Sequence, residues 1–432
     1  MKKSAAKEPA KPALTPKLRF PEFRKAEGWR LVTLQEASEP VAERVGQRKL
    51  TPVSISAGIG FVPQSEKFGR DISGNQYQLY TLVRDGDFVF NKGNSLKFPQ
   101  GCIYLLQGWG QVAAPNVFIC FRLKDGYSNG FFQNCFEQNQ HGRQLKRHIT
   151  SGARSNGLLN ISKETFFGVE ILTPKFLEQQ KIAECLSSVD ELIGAQARKV
   201  DALKSHKKGL MQQLFPGTPT SSSAGMKNAG GDASAPSETQ PRLRFPEFQN
   251  AGEWVVKPLG KVAENLDNKR RPITSSDREA GDVPYYGASG IVDYVEGFIF
   301  DEELLCVSED GANLVARTYP IAFSISGKTW VNNHAHVLRF EHACTQKFAE
   351  VYLNSIKLDD FITGMAQPKL NKAMLDSIPI PHPDIPEQRR IADCLNSLDE
   401  LIAAEIQKLE ALKTHKKGLM QQLFPNPEEV EV

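Results

Sequence analysis

The chain has 432 residues, 40% apolar and 24% charged, the make-up of a folded soluble protein with room for two or three cores. A formal net charge of +3 excludes a uniformly basic coat, and no apolar run approaches the roughly 18 residues of a membrane span. Seven cysteines without a Cys-x-x-Cys pair exclude a secreted disulfide scaffold and read as free thiols in a reducing compartment.

Residues 1–17 (MKKSAAKEPAKPALTPK) are basic with no apolar run behind them. They read as a disordered tail, not a secretory signal, so a cytoplasmic location is expected. A block over 18–177 follows. It starts with Leu18-Arg-Phe-Pro-Glu-Phe23 and Trp29, and holds 20 Lys/Arg against 13 Asp/Glu, a balance of +7. Short runs such as Asp87-Phe-Val-Phe90, Cys102-Ile-Tyr-Leu-Leu106 and Val117-Phe-Ile-Cys-Phe121 alternate with Gly/Asn turns, which is the pattern of strands.

Residues 178–216 form a proline-free run of strong helix formers up to Pro216. Apolar residues recur at Leu186, Val189, Ile193, Val200, Leu203, Leu210 and Leu214 in steps of three and four. The seam is interrupted at Gln196 and Lys207. That is a heptad seam, and it predicts coiled-coil packing of a rod roughly 57 Å long. Residues 217–242 are small, polar and Gly/Pro-rich, and predict a flexible linker.

The whole order then repeats. Leu243-Arg-Phe-Pro-Glu-Phe248 and Trp254 open a second block over 243–386, with 14 Lys/Arg against 20 Asp/Glu, a balance of −6. A second helix over 387–425 matches the first at 27 of 39 positions, at a constant offset of 209, and residues 426–432 form a tail. A period this long means two domains of related design. The expected fold is α+β, with the two long helices paired antiparallel and one globular block at each end.

Three kinds of segment have the chemistry to touch DNA. The first is a turn after a strand: Asn91, Lys92, Asn94 and Ser95 in one block, Asn313 in the other. Their amides, amine and hydroxyl suit base edges and phosphates. The second is basic. His141–Lys163 carries Arg143, Lys146, Arg147 and Arg154, with Asn156 and no acidic residue, which suits phosphates. Its counterpart in the second block holds Gln367, Lys369, Asn371 and, next in sequence, Lys372. The third joins Tyr285, Tyr286 and Ser289 with Lys328, Asn332 and Asn333, the last aligned with Asn116. In the acidic second block the DNA face is expected as a local patch around Lys328, Lys369 and Lys372. On the helices, His-Lys-Lys-Gly is identical in both copies. Lys207, Lys208, Gly209 and Met211, with Lys416, Lys417, Gly418 and Met420, are the expected partner-docking residues.

No Walker A loop, GxSxG elbow or HExxH pair is present, and no amino-methyltransferase Asn-Pro-Pro-Tyr. His334-Ala-His336 lacks further zinc ligands at suitable spacing. A reader and scaffold without a catalytic centre, metal or cofactor of its own is expected.

These residues resemble the specificity (S) subunits of type I restriction–modification enzymes. The likeness runs over roughly 18–425. It rests on the doubled arrangement, LRFPEF, the helix starts at Glu178-Gln179 and Glu387-Gln388, and the helix end GLMQQLF. Further matches are Tyr285-Tyr-Gly-Ala-Ser-Gly290 and Trp330-Val-Asn-Asn-His-Ala-His336. The resemblance implies two target recognition domains, each reading one half of a bipartite double-stranded DNA site, held apart by the helices. It implies assembly with two modification (methyltransferase) subunits that use S-adenosylmethionine. It also implies restriction subunits that use ATP and Mg2+. A structural coiled-coil adaptor without sequence-specific DNA contact is the alternative.

Overall fold

The computed structural model describes residues 14–93, 98–149, 159–216, 240–364 and 367–425. The candidate residues Asn94, Ser95, Arg154 and Asn156 lie outside them. The chain divides into two compact units. Unit 1 draws on residues 1–196 and 408–432, and unit 2 on 197–407.

Unit 1 contains β1 (Arg30–Thr33), α1 (Leu34–Ala37), β2 (Ser38–Pro40), β3 (Thr51–Ser56), β4 (Gly60–Pro63), α2 (Gln64–Phe68), β5 (Thr81–Arg84), β6 (Asp87–Asn91), β7 (Cys102–Leu105), β8 (Gln111–Ala114) and β9 (Ile119–Leu123). Then come α3 (Asn129–Glu137), α4 (Gln140–Leu145), α5 (Lys163–Phe167), β10 (Glu170–Thr173) and the first half of α6 (Phe176–Leu214). The strands form two four-stranded sheets, ordered β4-β3-β8-β5 and β2-β9-β6-β7, and an antiparallel pair β1-β10. Only β3 and β8 run parallel.

Unit 2 holds β11 (Val255–Pro258), β12 (Ala263–Asn265), β13 (Ala280–Gly287), β14 (Gly290–Val295), β15 (Phe300–Asp301), β16 (Leu304–Ser308), α7 (Asn313–Ala316), β17 (Ala322–Ile325), β18 (Lys328–Val331) and β19 (Ala335–Phe340). They are followed by α8 (Ala343–Ser355), α9 (Lys372–Ser377), β20 (Pro379–His382) and the first half of α10 (Ile385–Leu423). Its sheets are β14-β13-β18-β15 and β12-β19-β16-β17, with the pair β11-β20. Each strand thus has its counterpart ten strands on, down to the parallel pairing of β13 with β18. The blocks have diverged in sequence and kept one α+β topology.

Each long helix starts two residues before the repeated segment and stops at Leu214 or Leu423. The stop has a local cause: Pro216 and Pro425 bias the preceding residue out of helical conformation. Each unit packs half of each long helix. In unit 2, Lys199 pairs with Glu405 at 2.6 Å and Lys207 with Asp399 at 2.5 Å. Numbers rise along one helix as they fall along the other, so the halves run antiparallel. In unit 1, Lys416 takes the equivalent place, 2.8 Å from Asp190. The basic gap in each heptad seam is therefore filled by an aspartate on the facing helix.

The recurring sequence markers meet at one joint in each unit. Arg19 donates two hydrogen bonds to Glu178, at 2.8 and 2.7 Å, and the Trp29 indole N–H donates to the same carboxylate at 3.3 Å. Arg244 donates to Glu387 at 2.9 and 2.6 Å, with the Trp254 indole at 3.0 Å. The planar guanidinium fits a carboxylate in this two-bond fork. The next residue ties the long helix to a shorter one: Gln179 accepts from the N–H of Ser128, which caps α3, and Gln388 accepts from the Thr345 hydroxyl in α8. Each unit's main core closes over the joint. In unit 1, Trp29, Phe121 and Phe131 cluster with Ile182, Leu186, Leu423 and Phe424. In unit 2, Trp254 and Phe348 cluster with Leu214, Phe215, Ile391 and Leu395.

Candidate nucleic-acid interface

In unit 2 the structure gathers the segments that the sequence singled out. The Asp310 and Lys369 backbones form a bridge. Leu370 N–H donates to Glu309 O at 2.7 Å, and Gly311 N–H to Pro368 O at 3.1 Å. The Ser308 hydroxyl donates to Ala288 O at 2.5 Å, and Asn332 N–H donates to Tyr286 O at 3.0 Å. The segments at 285–290, 308–313, 332–336, 363–364 and 367–371 thus lie side by side.

A buried charge network holds them from below. Arg270 reaches Glu309 at 2.7 Å and Asp267 at 3.4 Å. The His336 ring, 1% exposed, contacts the Asp267 carboxylate at 2.6 Å and Leu370 O at 2.7 Å. Burial works against the Asp267 charge, but the His336 hydrogen bond, Val337 N–H and Arg270 outweigh it. They hold the carboxyl below its ordinary range. His334 pairs separately with Asp310 at 2.7 Å. The two histidines are positioned by carboxylates, and no group of three metal-ligating side chains occurs among the described residues.

Several predicted readers turn inward. Tyr285 is 1% exposed; its hydroxyl accepts from the Ile273 N–H, and the Arg278 guanidinium lies 4.5 Å over its ring. Tyr286 is half-buried against Phe323, and burial raises its pKa. Asn313 spends its amide on Thr318 and Tyr319. Asn332 caps the turn to His334 N–H at 2.8 Å, and Asn371 caps α9 through Met374 N–H at 3.0 Å. Short amides satisfy nearby backbone groups, which is why such residues gather in turns. Two lysines of the expected patch have acidic neighbours. Lys369 is 3.2 Å from Glu309 and Lys372 is 2.9 Å from Asp376, so both charges are matched locally. Ser289, Asn333 and Gln367 remain exposed, with Ser289 bonded to the Tyr319 hydroxyl at 3.0 Å.

The sequence reading missed a basic run, Asn268-Lys-Arg-Arg-Pro272. Arg271 is exposed, and its carbonyl accepts the Trp330 indole N–H at 2.6 Å. Lys328, which was expected, lies two residues before Trp330, its amine 4.9 Å over the Phe298 ring. Among the described residues neither Arg271 nor Lys328 has an ion pair. Three adjacent basic residues before a proline were the available signal.

In unit 1, Asn91 is a structural tie. It donates to Ile55 O at 2.8 Å and accepts from Gly93 N–H at 2.7 Å. Lys92 is half-buried and its carbonyl accepts Leu159 N–H, which joins this loop to the basic stretch. Asn116 accepts from Arg44 at 2.5 Å, and both line a cleft with Lys163. Arg143, Lys146 and Arg147 are exposed. Within the same unit Arg143 shares a groove with Lys413, Lys416, Lys417 and Met420.

Of the docking residues, Lys207 and Lys416 are committed to the seam. Burial lowers the Lys416 pKa, but Asp190 and Glu137 outweigh it and hold it above its ordinary range. Met211 and Met420 lie half-buried against the two main cores. Lys208 and Lys417 are exposed. Gly209 and Gly418 are helical, with open space where a Cβ would stand.

One buried group gives unit 1 a pH dependence. His141 is 2% exposed, and its ring nitrogens make no well-formed hydrogen bond beyond a weak contact with the Gly101 backbone. Burial pushes its pKa down to about 4, offset in part by the Gly101 backbone. The unfolded chain takes up a proton near pH 6.5, and the folded chain does so only near pH 4. Stability conferred on unit 1 is thus expected to fall as pH drops through this window, by up to roughly 3 kcal/mol, and to level off below it. Urea unfolding of the protein and of His141→Phe at pH 7 and 4.5 checks this; an equal slope in both overturns it.

The comparisons with known proteins follow this geometry. Residues 251–414 match the family described as type I restriction modification DNA specificity domain. A putative type I restriction enzyme specificity subunit of Haemophilus influenzae is 40% identical over 149 residues, 34% of this chain and 38% of that protein. The putative MjaX specificity subunit of Methanocaldococcus jannaschii is 24% identical over 276 residues, 59% of this chain and 58% of that one. The chain therefore spans between a third and three fifths of these relatives. Among solved structures, the type I S subunit from M. genitalium superposes with a TM-score of 0.55 at 14% identity, covering 96% of this chain and all of that one. A chain from a study of type I R-M complex assembly and conformational transition gives 0.53 at 17% identity, covering 92% and 98%. At these identities the structures establish a shared fold.

Proposed function

We propose, for a chain that belongs to the type I restriction–modification specificity family, that it is the DNA-reading, non-catalytic subunit of such a complex. Unit 1 and unit 2 each read one half of a bipartite duplex site. The observation that carries this is a repeated frame around unlike surfaces. The Arg–Glu–Trp joint, the following glutamine and the lysine–aspartate seam recur residue for residue, while the loops over them differ in chemistry. Equal frames suit equal partners, and unlike loops suit unlike half-sites.

The partners are two modification subunits that carry S-adenosylmethionine, and restriction subunits that carry ATP and Mg2+. The chain holds none of these cofactors. Gly209 and Gly418 support a close approach by another chain. Glycine inside a helix costs about 1 kcal/mol relative to alanine, and no atom of the described residues fills the space. No helix among the described residues is long and apolar enough to cross a membrane, which suits a subunit that meets DNA in the cytoplasm.

The test is methylome sequencing of a host carrying this chain and its modification subunit, with and without the chain. The expected result is N6-methyladenine at a two-part motif that vanishes with the chain. Methylation that persists without it, or duplex binding by the partner alone with equal sequence preference, would leave a structural adaptor in its place.

A further inference from the structure

Unit 1 contains a cavity of about 420 Å³ between edge strand β7 and helices α3 and α4, a volume within the range of small-molecule sites. Its apolar walls include the Tyr104 and Phe136 rings, and amides enter from Gln100, Gln133 and Asn139. Flat rings with a few amide donors and acceptors match a planar heteroaromatic.

His141 lines the same space. Phe90 and Phe136 hold its ring edge-on at 6.1 and 5.8 Å, and its nitrogens make no well-formed hydrogen bond beyond a weak contact with the Gly101 backbone. A neutral imidazole offers one N–H donor and one bare acceptor. Leaving a ring nitrogen unmet in a folded core is unfavourable, and a ligand group that reaches one of the two divergent nitrogens, with a small shift of the ring towards the cavity, would lower that cost. The Asn139 amide is fixed beside it. Its backbone is left-handed at φ 57°, its side chain donates to Gln100 at 3.3 Å, and Gly142 leaves it room where any Cβ would collide.

We propose that this cavity receives one unstacked nucleobase of bound DNA, stacked near Tyr104 and Phe136 and read at its edge by His141, Gln133 and Asn139. Among the described residues the lining contains Glu137 and no lysine or arginine, so these residues offer a free nucleotide's phosphates no counter-charge. A base whose phosphates stay outside does not need one. The place also fits. Strand β7 pairs with β6, whose last residue, Asn91, opens the candidate loop. The proposal rests on unit 1 reading DNA, and the experiment separates the two ideas.

The intact chain is titrated with adenosine, guanosine, cytidine and thymidine in turn, following the His141 imidazole by NMR. At least one nucleoside should shift that signal, with a dissociation constant on the order of 1 mM. The rim variant Gln133→Ala, read by the same signal, and His141→Phe, read by equilibrium dialysis of the same nucleoside beside the unaltered chain, should each weaken that binding at least tenfold. No shift with any nucleoside, or equal binding by both variants, overturns the proposal. In parallel, duplexes of the mapped half-site carry 2-aminopurine at successive positions. A fluorescence rise at one position, lost in Gln133→Ala, supports extrusion into the cavity. Tight duplex binding with no rise at any position overturns the cavity and leaves DNA reading intact. Failure of the unaltered chain, with its modification subunit, to bind duplex overturns both.

Discussion

Replacing Glu178 by alanine is expected to lower the stability of unit 1 by roughly 3–5 kcal/mol, the cost of leaving one member of a buried ion pair without its partner. The Arg19 side chain is 7% exposed and that of Glu178 2%, so water does not replace the lost carboxylate. The Trp29 indole N–H loses its acceptor as well. Glu387→Ala should do the same to unit 2, where Arg244 is 13% exposed and Glu387 2%. Hydrogen exchange read by mass spectrometry assigns each loss to its unit. Faster exchange confined to unit 1 in Glu178→Ala, and to unit 2 in Glu387→Ala, is the expected pair of results. The double variant Arg19→Met, Glu178→Leu should recover part of the loss, because an apolar pair of similar size replaces a buried ion pair at little net cost, while the Trp29 indole N–H stays without its acceptor. A single variant that unfolds at the same urea concentration as the parent would show that the joint contributes no stability.

Reversing two charges in unit 2 is expected to have the largest effect on DNA affinity. Arg271→Glu with Lys328→Glu should weaken duplex binding by roughly ten- to a hundredfold near physiological salt, and lower the salt slope by about 1 to 2. Both side chains are exposed and lack ion pairs among the described residues, so their charge is available to phosphates. Lys372→Glu should matter far less, since Lys372 already faces Asp376. Mobility shifts at matched salt, with the modification subunit present, decide between them. If Lys372→Glu proves the more damaging, the DNA face lies on α9 and not beside Trp330.

What the sequence disclosed and what it hid divide along chain separation. The long helices were legible because a heptad seam is a local pattern, and because two copies of it confirm each other. Even the interruptions at Lys207 and Lys416 were visible, though not their partners. The joint was hidden in plain view. Arg19 and Glu178 were both noted as markers, but they stand 159 positions apart, and only folding brings them within hydrogen-bond reach. The α+β class was readable from strand runs and turns, whereas the shared strand order of the two blocks was not, because the strands are short and their sequences have diverged.

At the candidate interface many of the expected readers have local partners. Asn313, Asn332 and Asn371 sit in turns, and a short amide in a turn serves its own backbone before it serves a ligand. Lys369 and Lys372 were chosen against an acidic background, and that background supplies their partners. The loops nevertheless converge, because the network of Asp267, Arg270, Glu309 and His336 draws them together. Two of those four, Asp267 and Arg270, lay in no segment that the sequence singled out.

The composition of unit 1 has a consequence for how the protein is made. Its core is completed by Leu423 and Phe424. Phe424 packs at 5.4 Å from the Phe131 ring and 6.0 Å from the Trp29 ring, and Gln422 O accepts the Leu18 N–H. Residues 197–407, which belong to unit 2, are synthesised in between. At about 5–20 residues per second, the ribosome leaves the Trp29–Phe131 face of the nascent chain uncovered for roughly 10–40 s. Unit 2 is continuous in sequence and can fold as it emerges. Unit 1 waits for its last strip of helix, and in that interval it is the part of the newborn chain most exposed to chaperones and to aggregation.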